Sequence, residues 1–242
     1  MRRLSRRWAS RRCWTAPWTT PSGTSGSIKS PEEVKKIEAS QEITDAAFQH
    51  ILPYIKEGVT ERDLALEIEF FMRKQGAENV AFDLIVAAGK NGSQCHAVPS
   101  DNTVKKGDFI TMDTGALLDG YHSDMTRTVA LGQVSDEQKA VYDTVLQAHL
   151  AVIDQVKPGM VCSDVDKIAR DIIEKDYPGT FGHGLGHGLA LKSTSGPALA
   201  VGIPLWPPRA WWSPTSPAST CPPSTACASR TCCWSPPMAA AA

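Results

Sequence analysis

The chain has 242 residues, 25 Lys and Arg against 26 Asp and Glu, a formal net charge of −1 and a hydrophobic share of 42%. This is enough to bury the core of one ordinary domain, with room for a second, partial one. A near-neutral charge removes the usual electrostatic argument for a nucleic-acid or membrane-surface protein. No uninterrupted apolar run approaches the roughly 18 residues that a membrane span needs. We therefore expect neither nucleic acid nor membrane among its partners, and a cytoplasmic location.

Acidic residues and tryptophans divide the chain into three pieces. All 26 acids lie between Glu32 and Asp176, whereas all seven Trp lie outside that interval. Only the middle piece therefore has the composition of a folded protein. We predict a basic segment at residues 1–27, a folded domain at residues 28–191, and a disordered tail rich in Pro, Ser, Thr, Trp and Cys at residues 192–242.

The folded piece begins with two predicted helices. Ser30 can cap a helix whose capping box is completed by Glu33, and apolar residues recur at helical spacing until Gly58. A second helix begins at Thr60, and Gly76 is placed to end it.

Strands and a second helix pair follow. Residues 82–88 are predicted to form one strand, and residues 109–118 and 125–131 two more, joined through the turn Asp119–Gly120. Ser135 opens another capping box, and a shorter helix follows that one as well. Two helix pairs around strands indicate an α/β domain built from two related halves. Two helical hairpins that are alike by chance are the alternative interpretation.

Four elements could carry chemistry. Asp113 and Asp124 are predicted on adjacent strands, where two facing carboxylates repel each other unless a cation or proton lies between them. The segment FGHGLGHG at residues 181–188 adds two imidazoles on a glycine-rich backbone, and His96 follows the first strand. Imidazole together with carboxylate suits a first-row divalent metal. Each residue alone would also fit a cap, a turn or the surface, but the four together indicate a site.

The motifs MDTGALLDGYHSDMTRT and FGHGLGHGLA closely resemble the pita-bread metallopeptidases, in the Xaa-Pro dipeptidase and Xaa-Pro aminopeptidase branch. The resemblance extends over about residues 28–191. It implies the α/β pita-bread fold of the creatinase and aminopeptidase type, with pseudo-two-fold helix–strand halves. It also implies a hydrolase that cleaves Xaa-Pro bonds in dipeptides or at the N-termini of peptides, and it is compatible with a homodimer.

The resemblance also implies roles for individual residues. The family site holds two divalent ions, Mn, Co or Zn, through two Asp, one His and two Glu. Carried onto this chain, Asp113 and Asp124 are metal ligands and His187 is the imidazole ligand. His183 corresponds to the outer histidine near the substrate, and His96 to the histidine that contacts the substrate backbone and assists proton transfer. A metal-activated water would attack the Xaa-Pro carbonyl, with a Glu as general base.

The family pattern breaks in the tail. Thr194 stands seven residues after His187, where the family has a second catalytic His, and the tail contains no acid to supply the two Glu ligands. One base restored after the Leu191 codon permits a frame with His in place of Thr194 and Glu in place of Ser216 and Arg230. We therefore predict a frameshifted tail, a sheet that lacks its C-terminal strands, and an incomplete metal site with weak or no activity. A genuine low-complexity tail is the alternative.

The first segment allows three interpretations. Residues 1–26 contain six Arg, three Trp and no acid. We predict out-of-frame sequence here, with an organellar transit peptide or a real basic tail as alternatives.

The sequence raises two other function classes. A pita-bread protein that binds peptides or partners without catalysis is consistent with the missing glutamates. A metal-free pita-bread hydrolase of amidino compounds such as creatine is disfavoured, because such an enzyme needs neither Asp113 nor Asp124. The sequence does not separate dipeptidase from aminopeptidase, nor does it name the native metal.

Overall fold

The computed structural model describes residues 29–157 and 160–189. The predictions made for residues 1–27 and 192–242, including the change of reading frame, lie outside the described residues. The elements, in chain order, are α1 (Pro31–Ile51), α2 (Glu61–Lys74), β1 (Asn79–Val80), β2 (Ile85–Ala88), β3 (Phe109–Thr114), β4 (Ala116–Leu118), β5 (Tyr121–His122), β6 (Met125–Ala130), α3 (Asp136–Gln155) and α4 (Cys162–Asp176), with 3-10 turns at Leu52–Tyr54 and Gly89–Ser93.

The predicted helix starts are confirmed. Ser30 Oγ accepts from the Glu33 N–H over 3.2 Å, and the Ser30 N–H donates to Glu33 Oε2 over 2.7 Å, so the capping box is complete. Ser135 forms a second capping box at the start of α3. α1 ends at Ile51, earlier than the predicted limit, because the chain tightens into a 3-10 turn at Leu52–Tyr54 that contains a proline.

The strand predictions need two corrections. The predicted strand at residues 82–88 is only β2, because the chain crosses from one sheet to the other between β1 and β2. The predicted strand at residues 109–118 is two strands, β3 and β4, interrupted at Gly115. The Asp119–Gly120 turn is present, with φ of 50° and 75°, but it joins β4 to β5.

Two antiparallel sheets result, with strand orders β1-β4-β5 and β2-β3-β6. One face of the second sheet, which includes Val86, Ile110 and Met112, packs against α1 and α2 in a continuous apolar core. Burial of each large side chain in this core contributes roughly 1.5–3 kcal/mol. Alternation along β3 directs Thr111 and Asp113 to the other face of the sheet. The second sheet therefore separates the core from a polar face.

The second helix pair has a core of its own. Val152 of α3 packs with Val165 and Ile173 of α4, and Phe181 and Leu185 from the following segment complete the cluster. Two helix pairs are present as predicted, but within residues 29–157 and 160–189 no strand follows β6. The predicted absence of C-terminal strands concerns residues 192–242, which lie outside the described residues. Among the described helices, none combines the length and the apolar character needed to cross a membrane.

Candidate metal and peptidase site

Asp113 lies on the polar face of the second sheet. The residue is 7% exposed, and its cross-strand neighbour Thr126 donates from Oγ1 to Asp113 Oδ1 over 2.7 Å. Thr111 and Thr128 form the next pair on the same face, with their hydroxyl oxygens 3.0 Å apart. Burial of polar groups is costly unless they are satisfied, so a row of hydroxyls and a carboxylate is typical of a site rather than of a packing face.

Asp124 immediately precedes β6 and is 5% exposed. The residue before it, Ser123, is fully buried, and its Oγ accepts from the Ala116 N–H over 2.8 Å. The same Oγ lies 2.7 Å from Thr44 Oγ1 and 3.1 Å from Ser40 Oγ on α1. These bonds attach the backbone beside Asp124 to both α1 and β4. Asp124 therefore stands on a rigid backbone position.

Gly115 allows the two carboxylate-bearing strands to approach each other. A Cβ atom built at this position would lie 2.1 Å from the carbonyl oxygen of Ser123. Real Cβ atoms do not come so close, and this neighbour is backbone that cannot swing away. The glycine that follows Asp113 and Thr114 is therefore required by packing against the residue that precedes Asp124.

The glycine-rich segment at residues 181–188, hereafter the histidine loop, brings an imidazole to Asp124. His187 Nε2 lies 3.6 Å from Asp124 Oδ2, and both side chains are largely buried. His187 Nδ1 lies 3.2 Å from the carbonyl oxygen of Gly188. A carbonyl only accepts, so Nδ1 carries the proton of this hydrogen bond. In the neutral imidazole, the lone pair of Nε2 therefore faces the Asp124 carboxylate.

The positions of His187 Nε2 and the Asp124 carboxylate suit a bound metal ion. Two electron-rich atoms, an imidazole nitrogen and a carboxylate oxygen, face each other in a buried place, and a cation or an additional proton between them removes the repulsion. Oxygen and imidazole ligands suit first-row divalent ions, and a ligating histidine typically donates its other ring N–H to a carbonyl or carboxylate. Asp124 and His187 therefore fit a divalent cation, and Asp113 supplies a further carboxylate on the polar face.

The site has fewer ligands than a complete metal centre. Among residues 29–157 and 160–189, no group of three or more His, Cys, Asp and Glu is arranged to hold a metal ion. The structure brings Asp124 and His187 together, whereas Asp113 lies in β3 with its Oδ1 bonded to Thr126. The assignment of all three as ligands therefore stays a prediction.

His96 lies in the segment between the 3-10 turn at Gly89–Ser93 and Ser100, and its side chain is exposed. The next residue, Ala97, is buried against Ile85 and Ala87 of β2. Because Ile85 is the cross-strand neighbour of Asp113, the segment that carries His96 runs along the polar face of the sheet.

A buried carboxylate holds this segment. Glu61 is fully buried at the start of α2, and it accepts from the Ala88 N–H (2.8 Å), Ser100 Oγ (2.7 Å), Asn91 Nδ2 (3.0 Å) and Asn102 Nδ2 (2.8 Å). Burial alone would raise the pKa of Glu61, but these hydrogen bonds outweigh it and leave the pKa lowered. The ionised Glu61 therefore joins α2, β2 and both ends of the segment that carries His96.

Sequence reasoning missed Glu61 and the polar residues around Ser123. Glu61 directly follows the capping residue Thr60, so it resembles an ordinary acid in the first turn of a helix. The weak signal that could have identified Glu61 is the concentration of Asn and Ser in the loop that precedes β3.

Comparison with known proteins decides the family. The model of metallopeptidase family M24 matches residues 35–208. The chain belongs to metallopeptidase family M24. The likeness to the pita-bread metallopeptidases predicted from the motifs is thereby confirmed, and the matched range includes Asp113, Asp124 and the histidine loop.

Relatives of known structure share the fold of this family member. The chain is 45% identical to an Xaa-Pro dipeptidase from Bacillus anthracis, with a TM-score of 0.70 over 72% of this chain and 49% of that protein. An X-Pro aminopeptidase from Thermotoga maritima is 39% identical, also with a TM-score of 0.70, over 73% of this chain and 52% of that one. The predicted pita-bread fold is confirmed by these likenesses.

Curated relatives are also peptidases, but the chain matches only part of their length. The chain is 46% identical over 175 residues to the uncharacterized peptidase YqhT of Bacillus subtilis. It is 40% identical over 174 residues to an Xaa-Pro dipeptidase of Pyrococcus horikoshii. Each match covers 72% of this chain but 50% of the relative, so the chain spans about half the length of these relatives.

Proposed function

We propose that the protein is a metal-dependent exopeptidase that hydrolyses Xaa-Pro bonds in dipeptides or at the N-termini of peptides. The observation that carries the proposal is the 3.6 Å approach of His187 Nε2 to Asp124 Oδ2, with Nδ1 committed to the Gly188 carbonyl. The Xaa-Pro dipeptidase and X-Pro aminopeptidase among its relatives support the same reaction.

Three residues would hold the metal. Asp113, Asp124 and His187 offer two carboxylates and one imidazole, a set that suits Mn, Co or Zn. Such an ion lowers the pKa of a coordinated water to near neutrality and so supplies a nucleophile.

Two histidines would contact the substrate. His183 Nδ1 lies 2.9 Å from the Gly184 carbonyl oxygen, so Nε2 is the ring atom that would contact a substrate. His96, on the segment beside Asp113, would contact the substrate backbone and transfer a proton. General acid–base transfer by a positioned histidine contributes about 10²–10⁴-fold to a rate.

A protein with this sequence should have weak peptidase activity or none. The family likeness calls for two Glu and a further His that the tail, as printed, does not supply. Under this proposal residues 28–191 form the catalytic domain, and the first and last segments are read out of frame. Cytoplasmic location and homodimer formation stay predictions.

A second candidate is a pita-bread protein that binds peptides or partners without catalysis. It is consistent with the tail as printed, which contains no Glu to complete a metal site. The two candidates differ in their need for Asp124. Metal-dependent cleavage requires it, whereas peptide binding without a metal does not.

Restoration of one base after the Leu191 codon tests the proposal. The restored protein should cleave an Ala-Pro or Leu-Pro dipeptide in the presence of Mn²⁺ or Co²⁺, and Asp124→Ala should abolish turnover. Asp171→Ala, an exposed carboxylate on α4, is the matched control and should keep full activity. Turnover retained in Asp124→Ala, or turnover that survives a chelator, would contradict the proposal.

A further inference from the structure

We propose that the ion pair between Asp166 and Arg170 on α4 is a positioning device that holds the histidine loop against Asp124. The inference rests on the proposed function, because the roles of His183 and His187 come from it. The pair itself is bidentate: Arg170 Nε lies 2.8 Å from Asp166 Oδ2 and its terminal nitrogen 3.4 Å from Oδ1. The Asp166 side chain is 9% exposed.

The pair contacts alternate residues of the histidine loop. Arg170 donates to the carbonyl oxygen of Phe181 over 2.7 Å and to that of His183 over 3.0 Å. Asp166 Oδ1 in turn accepts from the Leu185 N–H over 2.8 Å. These are charge-assisted hydrogen bonds, and the planar guanidinium can make several at fixed angles. The loop backbone is therefore held at three points by one pair of side chains.

The same arginine also orders an aromatic ring. The guanidinium lies over the ring of Phe181, 4.5 Å from its centroid, and the His183 ring meets Phe181 edge-on at 5.0 Å. Phe181 and Leu185 are buried in the core between α3 and α4. Arg170 thus connects a packed helix to the ring orientation of a proposed substrate-contacting histidine.

The loop needs such a device because its own sequence gives it little rigidity. Glycine occupies residues 182, 184, 186 and 188, and the loop has no helix or strand within residues 181–188. Each glycine leaves more backbone freedom to be lost on ordering than any other residue. Bonds from a rigid helix supply the order that the loop backbone does not supply itself.

The competing interpretation is that Asp166 and Arg170 form an ordinary ion pair that only stabilises the helix. A second ion pair on α4 serves as the control. Lys167 and Asp171 have the same i,i+4 spacing on the same helix, with Nζ 2.6 Å from Oδ1, but their side chains are 67% and 60% exposed. If Asp166 and Arg170 only stabilised the helix, loss of either pair would have similar effects. Arg170 also lies 4.0 Å from Glu174 Oε1, a second carboxylate on the same face.

Amide hydrogen exchange on the full chain tests the inference. In Arg170→Met, amides of residues 182–187 should exchange about tenfold faster or more, while amides of α3 keep their protection. In Lys167→Met the loop should exchange as in the parent. Equal effects of the two variants on the loop, or an effect spread evenly over α3 and α4, would overturn the inference.

Ring resonances of the histidines give an independent readout. The chain has six His, so His→Gln variants can assign the signals of His183 and His187. Arg170→Met should shift the His183 signal, because the Phe181 ring current on it changes, and Lys167→Met should leave it in place. An unchanged His183 signal in Arg170→Met would overturn the inference.

Arg170→Lys distinguishes the effect of the positive charge from that of the guanidinium geometry. It also replaces Arg170→Met as the test if that variant does not fold. A lysine can still pair with Asp166, but one ammonium does not span both carbonyls. Loop exchange should therefore rise as in Arg170→Met while α4 stays protected; parental exchange would overturn the inference. None of these readouts needs metal or substrate, so a failed peptidase assay leaves them interpretable, and failure here leaves the peptidase proposal standing.

Discussion

His187 Nε2 and Asp124 Oδ2 lie 3.6 Å apart, although one stands in a glycine-rich loop and the other immediately before β6. The loop is packed on the core of α3 and α4, whereas β6 pairs with β3 over the core of α1 and α2. The contact therefore joins the two helix pairs of the domain at its polar face. With Nδ1 already a donor, a cation or a proton between the two atoms would make this approach favourable.

Gly115→Ala should destabilise the domain severely. The new methyl group would lie 2.1 Å from the Ser123 carbonyl oxygen, so the backbone beside Asp124 has to move, and we expect a loss of about 3 kcal/mol or more in the free energy of unfolding. Gly182→Ala is the control, since nothing lies within 4 Å of a Cβ there. Urea unfolding of both variants measures the difference. Comparable stability of the two would show that the close approach is not essential.

Ser123→Ala should also weaken the fold, to a smaller degree. It removes the acceptor 2.8 Å from the Ala116 N–H and the partner of Thr44 in a fully buried place, which costs about 1–3 kcal/mol. Ser93→Ala removes an exposed hydroxyl that donates to the Lys90 carbonyl oxygen, and it should change the free energy of unfolding by under about 0.5 kcal/mol. An equal effect of both changes on urea unfolding would remove the structural role assigned to Ser123.

Glu61 should make the stability of the domain fall in acid. The native pKa of Glu61 is lowered, so the unfolded chain takes up a proton before the folded one as pH falls. Its contribution is complete above the ordinary carboxyl pKa of about 4.3 and is lost as pH falls through the lowered native pKa. Chemical denaturation at pH 7 and at successively lower pH measures this loss.

Glu61→Gln removes that dependence. At pH 7 it should cost about 2–3 kcal/mol, because an amide cannot accept all of the bonds from residues 88–102. In acid, the stability difference between the parent and this variant should narrow. Glu57→Gln is the matched control, since Glu57 is 58% exposed and 3.5 Å from Lys106 Nζ. Equal losses in the two variants, or a difference that does not change with pH, would contradict the role of Glu61.

Local signals in the sequence were sufficient for the helices and the hairpin turn. Ser30 and Ser135 start their helices with the predicted capping boxes, since capping depends only on residues a few positions apart. Asp119 and Gly120 form the predicted turn for the same reason. The prediction of one continuous strand was wrong at Gly115, because the interruption there depends on packing against Ser123 and not on the local sequence pattern.

The site was only partly predictable. Asp113, Asp124 and His187 were predicted as ligands from their chemistry and family motifs, and the structure places Asp124 beside His187. The polar residues that hold them were not found, because an acid such as Glu61 or an i,i+4 pair such as Asp166 and Arg170 has the sequence of an ordinary helix surface. Only tertiary contacts distinguish these positions from exposed ones.

Paramagnetic broadening by Mn²⁺ tests the central claim most directly, which is that Asp124 and His187 bind a divalent cation. The pair of His50 and Glu67, 2.6 Å apart on α1 and α2, is the internal control for ordinary His–carboxylate contacts. Mn²⁺ should broaden the His187 ring signal at concentrations that leave His50 sharp, and Asp124→Asn should abolish the effect. Equal broadening of the two histidines, or broadening of His187 that persists in Asp124→Asn, would contradict the claim.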